Sequence, residues 1–289
     1  MKLTSPSTIK YIMEKYGFRF SKSLGQNFLI SDDVVEDILD GAEISEDDYV
    51  LEIGPGIGVM TKAIAERAKQ VTAIEIDKSL LPVLDETLAE FDNIQIVNGD
   101  VLKLDVNEII ETTLGGNRPK VVANLPYYVT TPIVMKLLED NANVSDIVVM
   151  VQKEVADRMV SPPNNKTYGG LSVAVQFYSE ASIVATVPRS SFMPQPNVES
   201  TVIRLKVRDV PPVELLDRKL FFVTVKAAFA MRRKTLLNTI SSGLALSKEE
   251  TKEVLLLSDI DPIRRGETLD MKEFATLSNN IYKMRKNLL

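Results

Sequence analysis

Asn124-Leu125-Pro126-Tyr127 follows the apolar run Val121-Val122-Ala123, so an amide, a proline-fixed backbone and an aromatic ring stand in a row where a buried strand should end. That combination suits a planar ring bearing an exocyclic amine. Asn124 could accept one amine hydrogen, and a carbonyl of the Leu125–Pro126 step the other, because proline fixes its own φ and biases its predecessor to an extended backbone. Tyr127 could then stack on the ring. The same residues also suit a plain proline turn with Tyr127 as packing.

Three other places offer matching chemistry. Tyr49-Val50-Leu51-Glu52-Ile53 reads as a buried strand running into Gly54-Pro55-Gly56-Ile57-Gly58, whose glycines let a ligand approach the backbone. The dinucleotide fingerprint wants a further glycine where Val59 stands, and no Gly-Lys-Ser/Thr follows, which excludes a P-loop. Glu75 ends the next apolar run, 21 positions after Gly54, where nucleoside-binding folds place a carboxylate for ribose hydroxyls; a surface acid at a strand end is the plainer reading. Asp100, after Asn98-Gly99, has the polarity to accept from an adenine amine and equally suits turn chemistry. Asn27 and Leu29, in the loop Ser23-Leu24-Gly25-Gln26-Asn27-Phe28-Leu29, could cover a ligand held by these groups.

The elements that must position them follow from periodicity. Strands are expected at 49–53, 71–76, 94–97, 120–123 and 144–152, with helices at 59–68, 79–90, 106–114 and 131–139, the last capped by Thr131-Pro132. This alternation predicts an open, doubly wound parallel sheet with Gly54, Glu75, Asp100 and Asn124 at strand C-terminal ends, where such sheets bind ligands. Helices over 4–20, ending near Gly17, and 31–41, capped by Ser31, precede it. Beyond the loop Pro162-Pro163-Asn164-Asn165, a helix over 171–178 and strands at 182–187 and 201–207 lead to a helical remainder from about 215. Phe192 lies on a loop that Pro194 and Pro196 hold extended; it is either packing or an aromatic face for a base opposite Tyr127.

Composition removes many chemistries. The 289 residues include no Cys and no His, which excludes thiolate nucleophiles, Fe–S clusters, Ser-His and Cys-His triads and histidine metal sites. No metal site is expected, and catalysis must use carboxylates, amides, tyrosine, lysine or backbone groups. Neither a signal peptide nor a membrane span is expected, so the cytoplasm is the default location. The net charge of −6 is uneven: residues 181–289 hold 18 Lys and Arg against 12 Asp and Glu, and residues 1–22 hold five basic groups against one acid. Arg232-Arg233-Lys234 is the densest basic run, either a solvated helix end or a phosphate contact.

Taken together, Gln26-Asn27-Phe28-Leu29, Glu52-Ile53-Gly54-Pro55-Gly56-Ile57-Gly58, Glu75-Ile76-Asp77, Gly99-Asp100, Asn124-Leu125-Pro126-Tyr127, Phe192-Met193-Pro194-Gln195-Pro196-Asn197-Val198 and Arg232-Arg233-Lys234 resemble the rRNA adenine N6-dimethyltransferases over nearly the whole chain. The bacterial small-subunit enzymes are the nearer branch. The resemblance implies a Rossmann-like class I methyltransferase domain over 31–208, a basic helix and cofactor-covering loop over 1–30, and a smaller helical RNA-docking domain over 209–289. It implies S-adenosylmethionine (SAM) as donor, with Asn27, Leu29, Gly54, Glu75, Asp100 and Asn124 at the cofactor. It also implies that Asn124, Leu125, Pro126, Tyr127 and Phe192 hold the target adenine; Arg232, Arg233 and Lys234 are expected to contact RNA because the whole C-terminal segment is basic. The implied substrate is two adjacent adenosines near the 3′ end of small-subunit rRNA in an immature subunit, with no membrane and no obligate protein partner. A large-subunit methyltransferase of the macrolide-resistance type and a non-catalytic assembly factor are the alternatives.

Overall fold

The computed structural model describes residues 1–17 and 27–288. Gln26 and the preceding loop residues therefore lie outside the described residues.

Five apolar runs build the centre of the sheet: β2 (Tyr49–Ile53), β3 (Gln70–Glu75), β4 (Ile94–Asn98), β5 (Lys120–Asn124) and β6 (Asp146–Gln152). Near-continuous burial of β2, β3, β5 and β6 is what parallel strands covered on both faces require. With β9 (Ser200–Val207) and β7 (Ser179–Val187) the seven-stranded order is β4-β3-β2-β5-β6-β9-β7. The pairs from β4 through β6 are parallel, and β9 runs antiparallel to β6. The order turns back between β2 and β5, which opens a crevice at their C-terminal ends.

The helices follow the expected alternation with shifted ends. The first, α1 (Pro6–Tyr16), starts two residues later than the periodicity suggests, with Pro6 in its first turn, and Gly17 ends it at φ 64°. Next, α2 (Asp32–Gly41) is capped by Ser31 Oγ on the Val34 amide. After β2 come α3 (Val59–Ala65), then α4 (Leu81–Thr87) behind a 3₁₀ turn at Lys78–Leu80, and α5 (Val106–Leu114). The 79–90 helix is thus split, because Asp77 caps the turn at the Ser79 amide and Pro82 opens the α-helix.

A larger difference concerns α6 (Tyr127–Glu139), expected to begin at Thr131-Pro132. The Pro126 carbonyl accepts from the Val129 amide and the Thr130 hydroxyl, both at 3.1 Å, so the chain already turns at Tyr127. Pro132 is carried inside the helix, where it forgoes one backbone hydrogen bond.

Between the end of the sheet's fifth strand and its edge lie α7 (Lys153–Val160) and α8 (Gly170–Tyr178). The C-terminal helices are α9 (Arg218–Phe229), α10 (Leu236–Leu244), α11 (Lys248–Leu257) and α12 (Met271–Arg285). The chain forms two compact units, Met1–Ala156 with Glu180–Val207, and Asp157–Ser179 with Arg208–Leu289. The boundary expected at 208/209 therefore leaves out a segment: Asp157–Ser179 belongs with the C-terminal helices. Aromatic packing explains this, since Phe177 lies 5.4 Å from Phe221 and 5.3 Å from Phe222, and the Tyr168 hydroxyl donates to the Leu269 carbonyl at 3.0 Å.

Two short strands complete the first unit. β1 (Phe28–Leu29) pairs antiparallel with β8 (Phe192–Met193), setting Leu29 opposite Phe192, and the Ile30 amide donates to the Ser191 carbonyl at 2.8 Å. Phe192, expected on an extended loop, is therefore in a ladder and buried, with 2% of its surface exposed. Burial of its ring among apolar neighbours stabilises the fold as well as shaping the site.

Candidate active site

One cavity opens at the strand ends of the first unit, and Asn27, Leu29, Gly54, Glu75, Asp100, Asn124, Leu125, Pro126, Tyr127 and Phe192 all line it. Every cofactor and adenine residue expected from the sequence is brought there. Arg232, Arg233 and Lys234 are exposed and lie in the second unit, after the end of α9, where Arg232 donates to the Lys166 carbonyl.

The glycine turn makes backbone accessible at the end of β2. Gly54 and Gly56 have φ of 73° and 62°, a region that side chains disfavour. A Cβ on Gly56 would sit 2.8 Å from Phe28 Cε1, so the aromatic cover closes directly on this backbone.

Glu75, at the end of β3, is 4% exposed and accepts from the Gly56 amide at 3.2 Å and the Asp77 amide at 2.8 Å. Burial raises its pKa above the ordinary carboxylate value, and the two amides oppose that rise. A carboxylate has about four acceptor positions, so two amides leave capacity for hydroxyls. Asp100 accepts from the Leu102 amide at 3.1 Å, and Lys103 reaches its other oxygen at 3.5 Å. The turn chemistry is thus real at Asp100, and it leaves acceptor positions unused.

At the end of β5 the Asn124 NH₂ makes a long 3.5 Å contact to the Asn27 carbonyl. Only the NH₂ can donate to a carbonyl, so Oδ1 is left as an acceptor. The Pro126 carbonyl is already used twice by the first turn of α6, while the Leu125 carbonyl accepts none of those bonds. Tyr127, the first residue of α6, shares a 2.6 Å hydroxyl contact with Ser200 that fixes its ring. Burial raises its pKa, and Ser200 lowers it.

Glu52 opens the glycine motif, and the sequence assigns it no role. It is completely buried in the middle of the sheet, lines the same cavity, and neither carboxylate oxygen has a hydrogen-bond partner among the described residues. Burial pushes its pKa up to about 8, with Thr61 opposing and Glu75 adding to the shift. The signal was present: Glu52 is the one charged residue of an otherwise apolar strand run.

A carboxylate whose folded pKa is raised binds a proton that the unfolded chain has lost, so stability falls as pH rises from about 4.5 to about 8 and then levels. Glu52→Gln should therefore raise the thermal midpoint at pH 8 to 9, by up to roughly 4 kcal/mol of stability, and change it little below pH 4.5. Calorimetric scans across that range check the sign. A midpoint gain that is largest at low pH would contradict it.

A glycine cradle, a ribose-ready carboxylate, further unused acceptors and an unpartnered buried acid fit a cationic nucleoside cofactor such as SAM. With the doubly wound sheet they define a Rossmann-like class I methyltransferase. The model of the ribosomal RNA adenine dimethylase family matches residues 17–277, and the chain belongs to that family. It is 54% identical over 283 residues, 98% of this chain and 99% of the other, to a ribosomal RNA small subunit methyltransferase A of Alkaliphilus oremlandii. The protein of the same name from Clostridioides difficile is 52% identical, with 97% of each chain covered. Among solved structures, a dimethyladenosine transferase from Plasmodium falciparum has a TM-score of 0.74 at 24% identity, covering 90% of this chain and 98% of that one. The 23S rRNA methyltransferase ErmE has a TM-score of 0.68 at 26% identity, with 89% and 100% covered.

Proposed function

We infer that the chain is a SAM-dependent enzyme that dimethylates N6 of adenosines in small-subunit ribosomal RNA. The observation that carries the reading is the row of unused acceptors at the end of β5, beside a nucleoside-ready cavity, in a chain more than 50% identical to small-subunit methyltransferases. The ErmE likeness is weaker in identity, so the large-subunit alternative is not favoured.

Bound SAM supplies an electrophilic methyl group whose C–S bond breaks as the N6–C bond forms, the electron pair staying on sulfur and the amine proton passing to water. Glu75 takes the ribose hydroxyls, Asp100 the cofactor's adenine amine, and Gly54 the close approach of its methionine portion. Asn27 and Leu29 cover it. The N6 lone pair of the target adenine is delocalised into the ring, so acceptors must draw both N–H groups toward tetrahedral geometry. We assign Asn124 Oδ1 and the Leu125 carbonyl as the acceptors, because the Pro126 carbonyl already accepts from the Val129 amide and the Thr130 hydroxyl. Tyr127 stacks on the unstacked base, with Phe192 closing the cavity beyond it. Asn124 serves both partners at once. No strong base is required, in keeping with a chain that has no histidine. Positioning supplies most of the rate.

The substrate form we propose is two adjacent adenosines near the 3′ end of the RNA within an immature subunit, with Arg232, Arg233 and Lys234 on its phosphates. No obligate protein partner enters the scheme, and such a substrate implies a cytoplasmic protein. Among the described residues no helix is long and apolar enough to cross a membrane.

Incubation of the protein with labelled SAM and, separately, immature small subunits, large subunits, free rRNA or DNA tests this. N6,N6-dimethyladenosine in small-subunit RNA is the expected product. Label confined to large-subunit RNA or DNA would sink the substrate assignment, and cofactor binding without transfer would favour an assembly factor.

A further inference from the structure

The cavity has an unbalanced charge. Glu52, Glu75 and Asp100 line it, and no Lys or Arg is among its described lining residues. Asp100 has Lys103 within 3.5 Å, although the lysine side chain is 84% exposed. Glu75 is held by two backbone amides. Glu52 has neither kind of support among the described residues.

Among the described residues no cation reaches Glu52. On β3 its register neighbour is Ala73, and the nearest charge there is the like-signed Glu75. On β5 its neighbour is Val122. From α3 comes the hydroxyl of Thr61, placed to favour the charged form without closing a hydrogen bond. The adjacent Lys62 is engaged by Glu90 and by the face of Phe91. A carboxylate in such a place stays neutral until a cation arrives.

We propose that Glu52 is the counter-ion for the positive charge of the methyl donor, and that it makes the cavity prefer the donor to its spent product. This rests on SAM as the cofactor. The donor carries a carboxylate, an ammonium and a sulfonium; the product S-adenosylhomocysteine has the same groups with a neutral thioether, one positive charge fewer. Donor binding converts the Glu52 carboxylic acid to carboxylate and releases its proton to water. Loss of the sulfonium charge by methyl transfer removes the partner, the acid takes a proton back from water, and product hold weakens. A second methylation then needs only an exchange of cofactor at the same cavity.

Titration calorimetry of the full chain at pH 7, in phosphate and in Tris, reads the proton count because the two buffers differ in ionisation enthalpy. The wild type should release about 0.5 to 1 proton with SAM and markedly less with S-adenosylhomocysteine. Sinefungin, with an amine in place of the sulfonium, should behave as SAM does. In Glu52→Gln the proton difference should vanish, and the preference for SAM over S-adenosylhomocysteine should fall about tenfold while product affinity stays within about twofold. Equal proton release by both ligands in the wild type would overturn the proposal without any variant. So would an unchanged preference in Glu52→Gln. Failure of the wild type to bind any of the three would instead remove the cofactor reading on which the proposal stands.

Discussion

Asn124→Ala should lose methyl transfer by about a thousandfold or more, the scale seen when one preorganised hydrogen-bond group facing the reacting centre is removed. The fold should persist, because the side chain stands at a strand end and its protein contact is the 3.5 Å bond to the Asn27 carbonyl. The loss should appear in single-turnover rate at saturating SAM, with SAM affinity reduced by no more than about tenfold for the one lost contact. Asn124→Asp separates the roles further. It keeps an acceptor for the amine and replaces the NH₂ that faces Asn27, setting a carboxylate against a carbonyl. Weak but measurable transfer is expected from it, well above Asn124→Ala. Wild-type rates in the alanine variant would remove the mechanism, while equal rates in the two variants would show that the acceptor is not the active part of the side chain.

Glu75→Ala should weaken SAM binding by about a hundredfold or more, since the proposed scheme gives this carboxylate two charge-assisted hydrogen bonds to ribose that are lost together. The damage extends to the protein, because the same carboxylate holds the amides of Gly56 and Asp77 and so fixes the turn that brings backbone to the ligand. Glu75→Gln keeps acceptor oxygen and shape and should fall between wild type and alanine, at about tenfold. Equilibrium binding of SAM by fluorescence or calorimetry reads both. In the proposed scheme Asn124 acts on the amine and Glu75 on the ribose, so the two alanine variants should divide: rate for one, cofactor affinity for the other. An affinity unchanged in Glu75→Ala would remove the ribose assignment.

Much of this site could be read from the chain alone, for a physical reason. Gly54, Glu75, Asp100 and Asn124 each end or follow an apolar run, and alternating runs of strand and helix period can close only as a parallel sheet whose ligand side is the C-terminal edge. The residue types at those ends then state the chemistry. Seven motifs in order pointed to the family, to which the chain belongs.

Only the tertiary structure decided the rest. Phe28-Leu29 and Phe192-Met193 are too short to show any period, and their pairing across most of the first unit comes from contacts, so Phe192 is a buried ladder residue and not an open-loop aromatic. Pro132 looked like a helix start because proline favours first turns, yet the bonds to the Pro126 carbonyl had already begun the helix and placed Tyr127 on it. Asp157–Ser179 joins the C-terminal helices through aromatic contacts that no linear boundary signal marks. Glu52 was visible as an acid in an apolar strand. That no cation among the described residues meets it, and that the cavity does, required the fold.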